Sequence, residues 1–148
     1  MPYAELRKGR ISQSGRVYHV TTVTRKRIPY FNALANGRKV VQQSMALQEQ
    51  GTTETLCYVL MPDHLHWLMV LHKGTLSNVM QLLKGRSARI IGEPIWQPNY
   101  YDHAVRQEED RRKIARYIVA NPLRANLVSQ IGDYSLWDAV WLEQALSG

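Results

Sequence analysis

Apolar positions recurring at strand and helix periods divide this chain into four strands and three helices. Residues 16–24 read Arg-Val-Tyr-His-Val-Thr-Thr-Val-Thr, β-branched and aromatic almost throughout, and predict a first strand. Residues 32–50 predict a helix, since Leu34, Val41 and Met45 recur near helical spacing and Gly51 stops it. Asn36-Gly37 marks its start as weak. Residues 54–61 and 63–71 predict two strands of mostly branched or aromatic apolar residues, suited to a buried sheet. The Pro62-Asp63 connection is so short that these two must be antiparallel. Residues 76–91 predict a second helix, with Thr75 as N-cap, Leu76, Val79, Met80 and Leu83 as the apolar stripe and Gly92 as the stop. Gly85 weakens its middle. A loop from Ile95 leads to a fourth strand over 101–106. Residues 107–120 predict a third helix, with Glu108, Glu109 and Asp110 in the first turn, where the helix dipole favours anions, and Pro122 beyond its end.

Strand, helix, strand, strand, helix, strand is the split βαβ order of a ferredoxin-like α+β fold. It predicts an antiparallel sheet with two helices on one face. The third helix is expected at the sheet's other face or edge. The length of 148 residues fits one domain, with residues 1–15 a basic arm carrying Arg7, Lys8 and Arg10, and 129–148 a tail whose Trp137 and Trp141 cover the core.

Composition narrows the function. With 45% hydrophobic residues the chain is not disordered, and no run of 18 apolar residues predicts a membrane span. Residues 1–16 lack the apolar core of a secretory signal. The one cysteine, Cys57, is expected as a small buried hydrophobe, which fits a reducing cytosol. A net charge of +7 favours a polyanionic partner, nucleic acid before membrane. Arg25-Lys26-Arg27, at the end of a strand, reads either as a solvated loop or as a phosphate clamp.

The candidate chemistry lies in Met61-Pro62-Asp63-His64-Leu65-His66. Side chains two apart on a strand share a face about 7 Å apart, so His64 and His66 are within reach of one ion. The bland alternative is one histidine satisfied in the core and one facing solvent. On the third helix Tyr117 and Asn121 lie one turn apart on one face. These two could equally be a packing ring and a capping amide. Taken together, two imidazoles and an amide oxygen leave open positions on an octahedral ion such as Mg²⁺ or Mn²⁺. Such an ion can orient a phosphoryl group for attack by Tyr117. His19 reads as a sheet-face histidine rather than a further ligand. No Gly-rich phosphate loop, zinc-type cysteine cluster or supportable Ser-His-Asp arrangement competes.

Four stretches, in order, make the chain resemble a known family. They are Tyr18-His19-Val20-Thr21, the Met61–His66 segment, Trp96-Gln97-Pro98-Asn99-Tyr100-Tyr101-Asp102-His103, and Tyr117-Ile118-Val119-Ala120-Asn121-Pro122-Leu123-Arg124-Ala125-Asn126-Leu127-Val128. The chain resembles the single-tyrosine HUH transposases of bacterial insertion sequences, most of all the REP-associated tyrosine branch. The resemblance implies that His64 and His66 are metal ligands, Asn121 the third ligand and Tyr117 the nucleophile. It implies cleavage of single-stranded DNA near hairpins through a 5′-phosphotyrosine, rejoining by reversal, and no use of ATP. It implies a cytoplasmic, nucleoid-associated protein with single-stranded or hairpin DNA as partner, and leaves both monomer and homodimer open. Asn126 stands where the family usually has Gly, and Asn tolerates the left-handed conformation. Arg25, Lys26, Arg27, Arg106 and Arg111 are the expected phosphate contacts. Tyr100 and Tyr101 are expected to stack on bases, each worth roughly 1–3 kcal/mol. Two other readings fit fewer residues: a non-catalytic nucleic-acid-binding module with an RRM-like sheet, and a metal-dependent hydrolase of small phosphoesters.

Overall fold

The computed structural model describes residues 15–139 of the chain. The basic arm up to residue 14, and Trp141 in the tail, lie outside them.

Five strands form one antiparallel sheet: β1 (Arg16–Val23), β2 (Thr53–Met61), β3 (His64–Leu71), β4 (Tyr101–Val105) and β5 (Trp137–Ala139), in the spatial order β4-β1-β3-β2-β5. The first four keep the order of the split βαβ fold, as the element sequence predicts. The fifth strand was not expected, although its Trp137 packs against the core as predicted. Trp137, Asp138 and Ala139 pair with Val59, Tyr58 and Cys57 on the outer edge of β2. Three residues in a polar tail carry no periodicity that would announce a strand.

Both faces of the sheet are buried, which is why β3 is apolar at nearly every position. Leu65, Trp67, Met69 and Leu71 point to the face covered by α1 (Leu34–Glu49) and α2 (Leu76–Ile91). Leu68 points to the other, with Val17, Cys57, Val59 and Met61. There α3 (Glu108–Val119) seats Ala115 and Ile118. Two helices on one face and the Tyr117 helix on the other is the arrangement expected from the sequence. Within β2 the register against β3 shifts between Thr55 and Cys57, a bulge that turns both Leu56 and Cys57 toward α3. Cys57 is fully buried, as expected, and burial pushes its thiol up to about 12.

Local signals acted mostly as predicted. Thr75 accepts the Asn78 N–H at 3.1 Å to cap α2, and Gly92 ends it in the left-handed conformation at φ 101°. Asn36-Gly37, however, does not break α1. Gly37 is buried in the helix, where a Cβ would meet Leu136 Cδ1 at 2.6 Å and Leu60 Cδ2 at 3.2 Å, so any side chain there must displace its neighbours. Nor does Pro122 simply stop the chain: it sits in the first turn of a further short helix, α4 (Asn121–Arg124). Asn126 takes φ 59°, the left-handed conformation expected of it. No described helix is long and apolar enough to cross a membrane.

These packing roles separate two glycines. Gly85 is exposed, in mid-helix, with nothing within 4 Å of a built Cβ. Gly85→Ala should raise stability by roughly 0.5–1 kcal/mol. Gly37→Leu should lower it by roughly 1–3 kcal/mol through overpacking. Urea denaturation reads both as shifts of midpoint at unchanged slope. Equal effects at the two positions would refute the packing role of Gly37.

Candidate active site

The short Pro62-Asp63 corner fixes the register of β3 against its neighbours. Thr21 then lies opposite His66, Val23 opposite His64, and His19 opposite Leu68. All of these face α3. The His64 and His66 rings sit edge to face, with centroids 5.0 Å apart. The same-face expectation holds, and the pair is not the one-in, one-out arrangement.

Each imidazole is held at Nδ1. His64 Nδ1 lies 2.7 Å from Asp63 Oδ1, and with a carboxylate as acceptor Nδ1 carries a hydrogen, which leaves Nε2 directed away from Asp63. Asp63 is itself held: Arg27 Nη1 donates to its Oδ2 at 3.2 Å. Burial alone would raise the Asp63 carboxyl, but the hydrogen bonds and charges of His64 and Arg27 hold it below its ordinary value. His66 Nδ1 lies 3.2 Å from Thr21 Oγ1 and 3.1 Å from His19 Nε2. Its Nδ1 edge is thus occupied and Nε2 is the nitrogen left for a ligand. Burial, then the charges of His64, His19 and Arg124, depress His66 to about 3. Burial, then His103, depresses His19 to about 4. His66 and His19 are therefore neutral near pH 7, and for His66 that is the form that binds metal.

Tyr117 and Asn121 flank the α3–α4 junction. Tyr117 is 57% exposed. The Arg124 guanidinium lies 3.9 Å over its ring, and Arg124 Nη2 donates to the Tyr117 carbonyl at 2.7 Å. The Arg124 charge also contributes to the depression of His66. The Asn121 amide donates to the Ile118 carbonyl at 3.1 Å, and its Oδ1 hydrogen-bonds to neither histidine. Among the described residues no three His, Cys, Asp or Glu side chains are arranged to hold an ion. The donor set that fits a divalent ion is two imidazoles completed by amide and water oxygens.

The basic turn Arg25–Arg27 borders this site. Thr24 N–H donates to the Asp63 carbonyl at 2.9 Å, and Phe31 N–H to that of Pro62 at 3.1 Å. Lys26 and Arg27 both lie in the left-handed region, at φ 55° and 52°. Arg25 donates to the Tyr30 hydroxyl. Tyr101 is 60% exposed on β4, while Tyr100 is half-buried against the core. Arg106 is exposed, and Arg111 pairs with Glu108 one turn away on α3.

Sequence reasoning missed Asp63, Thr21, Arg124 and the contact of His19 with His66. It also missed Lys84, whose half-buried ammonium donates to the carbonyls of Gln97 and Asn99, at 2.5 and 3.1 Å. Burial lowers that group to about 8. Only Asp63 had a local signal, its place next to His64.

Against known proteins, residues 12–121 match the family of IS200-like transposases, and the chain belongs to that family. Within 84 residues it is 31% identical to the REP-associated tyrosine transposase of Escherichia coli K12, a match covering 55% of this chain and 51% of that protein. The match thus spans about half the length of that relative. Among solved structures, a REP-associated tyrosine transposase bound to a REP hairpin superposes with TM-score 0.77 at 21% identity, over 93% of this chain and 83% of that one. A Deinococcus radiodurans R1 protein assigned as a transposase superposes with TM-score 0.52 at 23% identity, over 75% of this chain and 94% of that one.

The buried histidines set a pH dependence. Their folded pKa values are depressed, so between pH 6.5 and about 4 the unfolded chain binds protons that the fold refuses. Stability of the metal-free protein should be fully present above pH 6.5 and fall as pH drops through that window. Each group contributes at most roughly 1.4 kcal/mol per pH unit. His19→Gln should make the slope shallower by up to one proton, read from urea midpoints at pH 7, 6 and 5. An unchanged slope would contradict the buried, neutral state of His19.

Proposed function

We propose that this chain is a metal-dependent, DNA-binding transposase that cuts single-stranded DNA near hairpins and rejoins it. In this reading Tyr117 is the nucleophile, and His64, His66 and Asn121 hold Mg²⁺ or Mn²⁺. The observation that carries it is one site: His66, neutral, beside His64, with Nδ1 of each engaged, on the sheet face covered by the Tyr117 helix. Membership of the IS200-like family supports it, and the hairpin-bound relative supports a hairpin partner.

The bound ion supplies Lewis-acid polarisation and orientation of one phosphoryl oxygen. Tyr117 Oη forms a bond to phosphorus as the bond from phosphorus to the 3′ oxygen breaks. The tyrosyl proton passes to a base in solvent, and the departing oxygen takes one up. The products are a 5′-phosphotyrosine and a free 3′-hydroxyl. Attack by a 3′-hydroxyl on the phosphotyrosine reverses the step and joins strands, so no ATP is consumed. Arg124, over the Tyr117 ring, favours negative charge as it builds there. Arg25, Lys26, Arg27, Arg106 and Arg111 contact phosphates, and Tyr100 and Tyr101 stack on bases. Such a partner would keep the protein with the nucleoid.

The alternative of a binding module with an RRM-like sheet needs an open sheet face. Here Ala115 and Ile118 of α3 cover much of the face opposite α1 and α2, which disfavours it.

A labelled hairpin oligonucleotide with a single-stranded flank tests the reading on a denaturing gel. Wild type should become covalently attached to DNA, and Tyr117→Phe should bind DNA without forming the adduct. Cleavage should stop in EDTA. His64→Ala and His66→Ala should cut at least roughly tenfold more slowly, with partial rescue by excess Mn²⁺, and Asn121→Ala should be milder because water replaces an amide oxygen. An adduct with Tyr117→Phe, or full cleavage in EDTA, overturns the assignment.

Phosphate binding makes a separate prediction. Affinity should fall steeply with salt, and replacing Lys26 or Arg106 by Ala should reduce the slope of log K against log salt by about 1 each. A salt-independent affinity for hairpin DNA would count against the phosphate contacts.

A further inference from the structure

A cavity of about 230 Å³ opens beside the histidine pair, lined by Val23, Gln97, Pro98, Asn99, Tyr100 and Tyr101. Its position is set by strand register. Val23 lies opposite His64 on one side, and Tyr101 lies opposite Thr21, which is itself opposite His66. The cavity is therefore one to two strand widths from the histidines, and the cationic turn Arg25–Arg27 begins two residues beyond its floor at Val23.

The loop that forms the cavity is firmly held. Trp96 pairs with Thr24 across an isolated bridge, and its indole N–H donates to Ser87 Oγ at 2.9 Å. Gln97 N–H donates to the Val23 carbonyl at 3.0 Å. Lys84 ties the carbonyls of Gln97 and Asn99 to α2. The backbone is thus fixed while the Gln97 and Asn99 side-chain amides make no hydrogen bond among the described residues. Each offers a donor and an acceptor side by side. Tyr101, 60% exposed, places its ring beside them.

We propose that this cavity reads one unstacked base of the single-stranded DNA, an adenine. The volume lies below the roughly 300 Å³ at which sites for drug-sized ligands begin, which suits a single planar base. Asn and Gln amides pair with adenine through its adjacent amino group and ring nitrogen. An aromatic face beside such amides is how proteins hold a base splayed out of its stack. The flanking cations would carry the adjoining phosphates and set that base in register with the cleavage site. The inference rests on the proposed action on single-stranded DNA, and adds to it a sequence preference at one nucleotide.

The test uses the full chain and hairpin DNA with a thymine-only flank in which one adenine is walked position by position. Fluorescence anisotropy should show one position at which adenine binds about tenfold tighter than thymine, the discrimination expected of a good amide pair. 7-Deazaadenine or an abasic residue there should remove the gain. The double variant Gln97→Ala, Asn99→Ala should bind all positions alike, with its melting temperature showing that it folds. A wild type that binds and forms the adduct without any positional preference overturns this inference alone. Retention of the preference by the double variant does the same. Failure of wild type to bind any hairpin overturns the proposed function and this inference together.

Discussion

The placement of β3 between β1 and β2 is the constraint on which the rest of the molecule depends. Side chains alternate faces along a strand, so a slip of one residue would turn Leu65, Trp67 and Met69 away from α1 and α2 and bury His64 and His66 among them. The large burial on the α1–α2 face therefore holds the histidines on the α3 face. Which face they occupy is thus set by core packing, while their ring orientation is set by Asp63, Thr21 and His19. The short Pro62-Asp63 corner enforces the same register from one end.

On that scaffold the site is a contest between burial and polar partners. Burial keeps the His66 and His19 imidazoles neutral, and buried polar rings need hydrogen-bond partners. Thr21 and His19 supply one for His66, and Asp63 supplies one for His64. Asp63 also anchors Arg27 in a turn whose two left-handed residues are held in place by Thr24 and Phe31. One carboxylate thus links the cationic edge of the protein to the orientation of a candidate ligand. Without Arg27, Asp63 would be held by His64 alone among the described side chains.

How much of this was legible in the sequence follows from the range of each interaction. Strand alternation is local, so the shared face of His64 and His66 could be read from spacing alone. The boundaries of α2 were legible because Thr75 and Gly92 act within a turn of themselves. His19 was seen in its strand, but its meeting with His66 depends on which strands pair and in what register, across 47 residues. Lys84 and Arg124 act across the fold in the same way. Gly37 misled for the same reason: its helix-breaking tendency is local, while the side chain packed against it, Leu136, arrives from the far end of the described chain. For Asn121 the sequence left a capping amide and a ligand both open, and the bond to Ile118 matches the first without removing the second.

The bulge in β2 has a consequence on an evolutionary scale. Elsewhere in this sheet, inserting or deleting one residue inverts the side chains beyond it unless a new bulge absorbs the change. At Leu56 and Cys57 two neighbours already share a face, and removing Leu56 would leave Thr55 and Cys57 each on its present side. Loss of one residue here would therefore keep the faces of β2 intact, which makes the bulge the place where β2 can change length.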